Sequence, residues 1–426
     1  VAPKWRVTFA VTRDDSTIDS FDCTIGKLSK YIGQVGSLDL TIPIPNEDVG
    51  RRLQPIIGGE GRLSMYAYKD EQLWWGGFVD KTTVTGGIDG ASLAVSGATF
   101  EAYLDRRESR EDYQLTGSFA TNGIDQINYA TLVWRSVQGG SHNENIRVNV
   151  LDQPLTGKNI ALSWLRSDTR TFGSILTEAS NRTDGFEWVI DVSDNNGVRQ
   201  RDLKTGYPII GRPDSGLVFS YPGAITSYTI DGDALDGANA FQAKGKAPTP
   251  VGTPTPKKWQ YDPETQTAVL VDVPVANGQA APAEPSMSTQ EYFSDAHFQA
   301  GYTRMDTTVT RSTETDVNVL NAWAQLGRDM RSGPLVLPSI NCHLDSLDQA
   351  VLGCTILLRI DDYPYPRKPD GAPGWEGSAR VIGYEVDPGE YGVVDTVSVI
   401  FENPHDQEHQ NMSPEGTLYY PKVKAI

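Results

Sequence analysis

Few side chains in this sequence stand where chemistry would need them. Asp361 and Asp362 are neighbouring carboxylates, the residue type that serves as acid and base at a glycosidic bond. One apart on a strand, they point to opposite faces and cannot flank one substrate. Cys342-His343 with Cys354 offers soft donors but neither a Cys-x-x-Cys pair nor a fourth ligand. His405 and His409 flank Asp406 and Glu408 at a spacing that would suit a metal on a helix. Pro404 precedes them and the segment is polar all round, which reads as a solvated tail. The oxygen-rich string Asp191–Gly197 fails as a calcium loop, because the spacing puts Val192 at the first ligand position and no glutamate closes it. Asn181-Arg182-Thr183 is a glycosylation triplet, which acts only on a secretory route. The nucleophile elbow, the Walker loop, the zinc-protease helix and the dinucleotide fingerprint are all missing. The expectation is a chain with no catalytic, cofactor-binding or metal residue.

Nine tryptophans raise the question of sugar stacking. Trp5, Trp75, Trp134, Trp164, Trp188 and Trp323 lie in patterned segments and are expected in the core, and Trp74 and Trp259 are the better surface candidates. The 426 residues carry a formal net charge of −18, which excludes a general nucleic-acid grip, since that needs a basic face. The acidic balance fits a hydrated, self-repelling surface. Three cysteines cannot make a disulfide framework, and Cys23, in the alternating run Phe21-Cys23-Ile25, reads as a buried thiol. No run has the length of a membrane span. Trp5 enters a strand at once, with no signal peptide before it, so cytoplasmic synthesis is expected.

The elements that must carry these residues are mainly strands. Trp5, Val7, Phe9 and Val11 alternate with Arg6, Thr8 and Ala10. Leu38, Leu40, Ile42 and Ile44 repeat the period, and so do Leu63, Met65 and Ala67, as half-buried antiparallel strands require. A short helix is predicted over 47–53, capped by Asn46. The mixed-charge run 106–112 marks a boundary. Beyond it, Asn122 can cap a helix bearing Ile124, Ile127, Trp134 and Val137 on one side. A second helix is predicted over 169–181, with Phe172, Ile175, Leu176 and Ala179 at helical spacing. A hairpin follows, 186–192 with 198–204, turned by Asn196-Gly197. Strands return over 217–230. Residues 247–288, rich in Pro, Ala, Thr and Gly, read as an extended loop or arm, although Trp259, Tyr261 and 269–273 lie inside it. A last helix is predicted over 315–330, with Thr313 and Asp316 as a capping box.

One pattern occurs twice. From Gly61 a strand runs to Asp70, and after a turn comes Trp75-Gly76-Gly77-Phe78-Val79. From Gly353 a strand runs to Asp362, and after a longer turn comes Trp375-Glu376-Gly377, leading to Val381. Each copy follows an apolar strand that contains proline (38–43 and 335–338) and precedes another strand (93–96 and 394–401). A duplicated β unit points to a ring-building structural protein before it points to an enzyme.

These residues resemble a family. Gly36–Pro43, Gly61–Tyr68, Trp75–Asp80, Leu93–Gly97 and Tyr103–Arg107 look like the N-terminal domain of phage tail-tip (baseplate) hub proteins, the tail-associated minor tail proteins. Phe172–Trp188 resembles their small α/β domain, and Ile230–Asn239 with Ala243–Gly245 the re-entry into a second barrel. The resemblance implies a mainly β (α+β) chain with two tail-tube-like β-barrel domains flanking a small α/β domain. The domains would be 1–107, a first hub barrel; 108–216, the α/β domain; 217–404, a second barrel with the Pro-rich insertion 247–288; and 405–426, a tail.

It further implies a structural hub: a homotrimer whose six barrels form a pseudo-sixfold ring between the sixfold tail tube and a threefold tip, around the DNA-ejection channel. The implied partners are the distal tail protein or tail tube, the tape measure protein and other tip proteins, with DNA only passing through the lumen. The implied place is the virion tail tip, after synthesis in the host cytoplasm. Some such hubs carry an enzymatic C-terminal extension, which is not expected here. The rival readings are a cell-wall-degrading tail enzyme and a carbohydrate-binding tip module acting through Trp74 or Trp259.

Overall fold

A computed structural model describes residues 5–401 apart from 89, 111–112, 115–123, 140–143, 152, 161–162, 181–184, 196, 213–214, 234–237, 247–256, 263–266, 273–285, 312–315, 332–334, 348–350 and 388–395. The chain is mainly β and divides into two compact units, one comprising the chain to Asp231 together with Val336 onward, the other spanning Gly232–Leu335.

The first unit begins with β1 (Trp5–Val11), β2 (Thr17–Asp22), β3 (Thr24–Tyr31), β4 (Ser37–Ile44), α1 (Glu47–Leu53), β5 (Leu63–Lys69), β6 (Gln72–Phe78), β7 (Lys81–Gly87) and β8 (Gly90–Ala98). These strands form two layers, β2-β1-β5-β6 and β3-β4-β8-β7. Val7, Phe9, Leu38, Leu40, Ile42, Met65 and Leu93 fill the space between them. Each such side chain contributes about 1.5–3 kcal/mol on burial. β4 follows its sequence period, with Leu38, Leu40 and Ile42 buried and Asp39, Thr41 and Pro43 exposed. The Asn46 side chain caps α1 by accepting from Val49 N at 3.0 Å, as predicted.

β1 and β5 depart from the half-buried expectation, because both of their faces are covered. Ala10, Tyr66 and Tyr68 lie in a second core cluster with Trp134, Phe186 and Trp188. The segment that supplies this cover comprises α2 (Ala102–Asp105), β10 (Ile124–Asp125), α3 (Gln126–Gln138), β11 (Asn159–Ile160), α4 (Phe172–Ser180), β13 (Glu187–Asn195) and β14 (Val198–Gly206), with β9 (Tyr113–Gln114) paired to β12 (Ser163–Trp164) in the same stretch of chain. The caps here need correction. Asp125, and not Asn122, caps α3: its Oδ1 accepts from Ile127 N at 2.9 Å. Its Oδ2 accepts from Gly157 N at 2.8 Å. Ile124 therefore pairs with Ile160 in a strand instead of joining the helix, and Asn122 lies outside the described residues. α4 starts at Phe172 because Thr169 adopts a left-handed φ of 49° and the Thr171 hydroxyl accepts from Ser174 N at 3.1 Å. β13 and β14 pair through Asn195↔Val198, with Gly197 at φ 85°, as a two-residue turn requires.

β15 (Val218–Tyr221) and β16 (Ile225–Asp233) follow. The second compact unit is inserted in the chain next. It holds β17 (Ala240–Lys246), β18 (Lys257–Asp262), β19 (Thr267–Asp272), β20 (Ser286–Ser288), β21 (Tyr292–Phe293), α5 (Asp295–Gln299), β22 (Asp306–Arg311) and α6 (Val317–Arg331). β17 is central, antiparallel to β20 and β21 and parallel to β22. Leu320, Trp323 and Ala324 of α6 are buried, and Gly327 lets the helix approach Phe241 of β17 closely. Asp316 is itself the cap of α6, accepting from Asn318 N at 2.8 Å, while Thr313 lies outside the described residues. The Pro-rich segment was expected to be extended; its described part holds the β18–β19 ladder, with Trp259 opposite Leu270.

The first unit resumes with β23 (Leu335–His343), β24 (Thr355–Ile360), β25 (Trp375–Asp387) and β26 (Thr396–Phe401). The sequence repeat is a structural repeat. Gly61 and Gly353 both adopt left-handed φ, 72° and 83°. Gly61 N donates to Val79 O at 2.9 Å, and Gly353 N donates to Val381 O at 2.8 Å. A Cβ on Gly77 would strike the indole of Trp75, and one on Gly377 the indole of Trp375. The Trp-x-Gly spacing thus lets each tryptophan lie back over its own strand. The strand orders also match: β3-β4-β8-β7 in the first copy and β16-β23-β26-β25 in the second.

Candidate functional site: an open sheet shared by two repeats

The two matching strand sets, β3-β4-β8-β7 and β16-β23-β26-β25, are parts of one ten-stranded sheet with the path β16-β23-β26-β25-β3-β4-β8-β7, β15 and β24 lying off it. β25 and β3 join them through Gly383↔Tyr31, Tyr384↔Lys30, Glu385↔Ser29 and Val386↔Leu28. Gly383 is required here because a Cβ would collide with the Tyr31 ring. The Tyr31 hydroxyl donates to Glu385, and Lys27 Nζ lies 3.7 Å from the same carboxylate.

Among the described residues the path is open at both ends. His343 N donates to Ala224 O at 3.1 Å and the Thr226 hydroxyl to Asn341 O at 3.0 Å, so β16 and β23 run antiparallel, like the other pairs of the path. Eight alternating strands leave β7 and β16 pointing in opposite directions. Along β7 Thr82 is half-buried while Lys81, Thr83, Val84 and Thr85 are exposed, and Ile88 at the hairpin tip is fully exposed. Among the described residues no ladder closes either repeat into a barrel. Open edges of this kind are templates for pairing with another chain.

Behind the sheet, buried ions tie β13 and β14 to both repeats. Arg201, 2% exposed, donates to Asp15 Oδ1 at 2.9 Å, to the Tyr66 hydroxyl at 2.6 Å and to Thr12 O at 3.0 Å. Arg199 reaches the other Asp15 oxygen at 2.9 Å. Burial, foremost, drives the Tyr66 phenol above its usual range. Arg380 of β25 forms a two-pronged pair with Glu187 of β13, at 2.8 and 2.5 Å. Lys30 pairs with Asp191 at 3.1 Å beside Glu101. Glu101 is fully enclosed: its Oε1 accepts from Ile190 N at 2.8 Å, and burial pushes its carboxyl above the ordinary range. Sequence reasoning missed these groups. An isolated charge inside an apolar alternation, such as Lys30 or Arg201, is the signal that was available.

The sequence-predicted candidates are dispersed. Asp361 accepts from Arg367 at 2.5 and 3.2 Å and from Gly374 N at 2.9 Å, and the guanidinium holds its carboxyl below the usual range. Asp362 instead accepts from the Tyr228 hydroxyl at 2.8 Å. Cys342 is buried in β23 and burial pushes its thiol up to about 12; the thiol of Cys23 is raised to about 12 for the same reason. Asp191 and Asp194 of the rejected calcium string are engaged by Lys30, Lys204, Tyr68 and Gly197 N. Trp74, expected at the surface, is 2% exposed, its ring edge-on to Tyr384 of β25 at 6.0 Å. Trp5, Trp75, Trp134, Trp188 and Trp323 are buried, whereas the side chains of Trp164 and Trp259 lie outside the described ones. Asn181, His405 and His409 are outside the described residues. Among the described residues no helix is long and apolar enough to cross a membrane.

The fold is similar to that of a solved phage tail protein, the class that the sequence resemblance names. The 43 kDa tail protein of prophage MuSo2 from Shewanella oneidensis superposes with a TM-score of 0.51 at 9% identity, over 94% of this chain and 99% of that one. The tail protein from Neisseria meningitidis MC58 gives 0.49 at 11% identity, over 95% and 99%. A prophage tail protein from Listeria monocytogenes EGD-e gives 0.47 at 10% identity, over 93% and 94%. No protein-family model matches the sequence, and no curated protein matches it.

Proposed function

We propose that this chain is a structural minor tail protein and forms the homotrimeric hub of a phage tail tip. The observation that carries the reading is the continuous sheet. Two repeats of the same strand order are already joined edge to edge through β25 and β3, and the free edges, β7 and β16, are the counterparts of that junction. Pairing β7 of one copy with β16 of the next would repeat the internal junction and keep the alternation of strand direction. Three copies would then give six repeats in a closed ring, matching a sixfold tube on one side and a threefold tip on the other.

In this reading 1–107 and 217–404 supply the two tube-like barrels, 108–216 braces them, 247–288 reaches a neighbouring tip protein, and 405–426 is a tail. The partners are the distal tail protein or tail tube, the tape measure protein and other tip proteins. DNA only passes through, and the place of action is the virion. The proposal assigns no catalytic, cofactor-binding or metal residue. The exposed face of β3 and β4 carries Lys27, Asp39 and Thr41, a mixed set, so these strands do not favour a uniformly acidic lining. The test is the mass of the purified protein followed by negative-stain electron microscopy. A trimeric ring supports the hub; a monomer at every concentration overturns it.

A further inference from the structure

We infer that neighbouring copies are locked by an ionic contact between the loop 361–374 of one copy and the first turn of α1 of the next. The inference rests on the ring reading and adds the residues that make the ring's joint.

The internal junction is the template. Where β25 pairs with β3, Lys69 at the end of β5 reaches across to Asp345, just past β23. The first repeat thus offers the end of its β5 strand, and the second offers the segment after β23. Between copies the roles exchange. The second repeat of one copy offers the end of β24, and the first repeat of its neighbour offers the segment after β4. Counted from the equivalent glycines Gly61 and Gly353, the position of Lys69 corresponds to Asp361. Asp345 lies two residues beyond β23, and the place two residues beyond β4 is Asn46, followed by Glu47 and Asp48.

The charges suit this placement. Asp361 is no cation, but Arg367 folds back onto it and puts a guanidinium there, next to Lys368. Glu47 and Asp48 have side chains 94% and 82% exposed, and Arg367 is 65% exposed. Among the described residues Glu47 and Asp48 form ion pairs with the exposed Arg51, at 3.6 and 3.2 Å, a kind of pair that is easily exchanged.

The loop is also built to dock. Its counterpart in the first repeat is the tight turn Asp70-Glu71, whereas 361–374 holds four prolines and is pinned from within. Asp362 N donates to Tyr365 O at 3.0 Å, Lys368 N to Ala372 O at 3.0 Å, and Ala372 N to Asp370 Oδ1 at 2.9 Å. Such a loop loses little freedom on binding. It leaves Tyr363, a residue type favoured in interface centres, fully exposed.

The test uses the full chain and sedimentation of purified protein. R367E/K368E should weaken self-association about tenfold or more, since it sets like charges against each other. Adding E47K/D48K to it should restore association. As a second readout, Glu47→Cys with Lys368→Cys should give an oxidative cross-link between copies. Ring formation by wild type with unchanged association of R367E/K368E and no cross-link would overturn this contact while leaving the ring standing. A wild type that never associates would remove the ring reading and this contact together.

Discussion

At the scale of single residues, the ions behind the sheet carry the sharpest expectations. Arg199 and Arg201 share Asp15 in a nearly dry site. Asp15→Asn keeps a residue that tolerates the observed φ of 60° but strips both guanidinium groups of their counter-charge. It should lower stability by about 3–5 kcal/mol in denaturant titration, the usual cost of breaking a buried pair; a change within error would mean the cluster is solvated. Glu101 works in the opposite sense. Burial raises its pKa, so the native state favours the proton, and this group's contribution is fully present below the ordinary carboxyl pKa and is lost as pH rises through the raised value. Glu101→Gln removes that loss. Its stability relative to wild type should therefore grow as the pH rises above the ordinary carboxyl range and level off above the raised value. Parallel stability curves for the two proteins would contradict the buried-acid account.

At the scale of elements, the repeated Trp-x-Gly strand explains why a low-identity pattern is still visible. In both copies the glycine gives room to the indole two residues before it. In the first copy the glycine also lies against the Ala98 carbonyl of β8, a backbone atom that cannot swing aside. Gly77→Ala should therefore cost more than Gly377→Ala, with about 1–3 kcal/mol expected for the overpacked site. Thermal unfolding of the two variants decides it, and equal effects would mean the two copies are not packed as described. Local signals placed these elements well: Asn46 caps α1, and the positive φ of Gly197 turns β13 into β14. They failed where two caps competed within a few residues. Asp125 was preferred to Asn122 because its second oxygen also binds the 156–157 backbone, a contact from more than thirty residues away.

At the scale of the whole molecule, the free edges β7 and β16 make self-association the central expectation, with the trimeric ring and the charge-swap experiment as its tests. The sequence by itself determined the period of each strand, the turns at Gly61 and Gly353, the duplication and the mainly β class, because these are written in residues close together in the chain. Only the tertiary structure decided that β1 and β5 are covered on both faces and that Trp74 is buried under Tyr384. It also decided that β25 joins the two repeats through β3. Which strand pairs with which, and what lies over a strand's second face, depends on partners hundreds of residues distant; an alternating pattern records only the strand's own period.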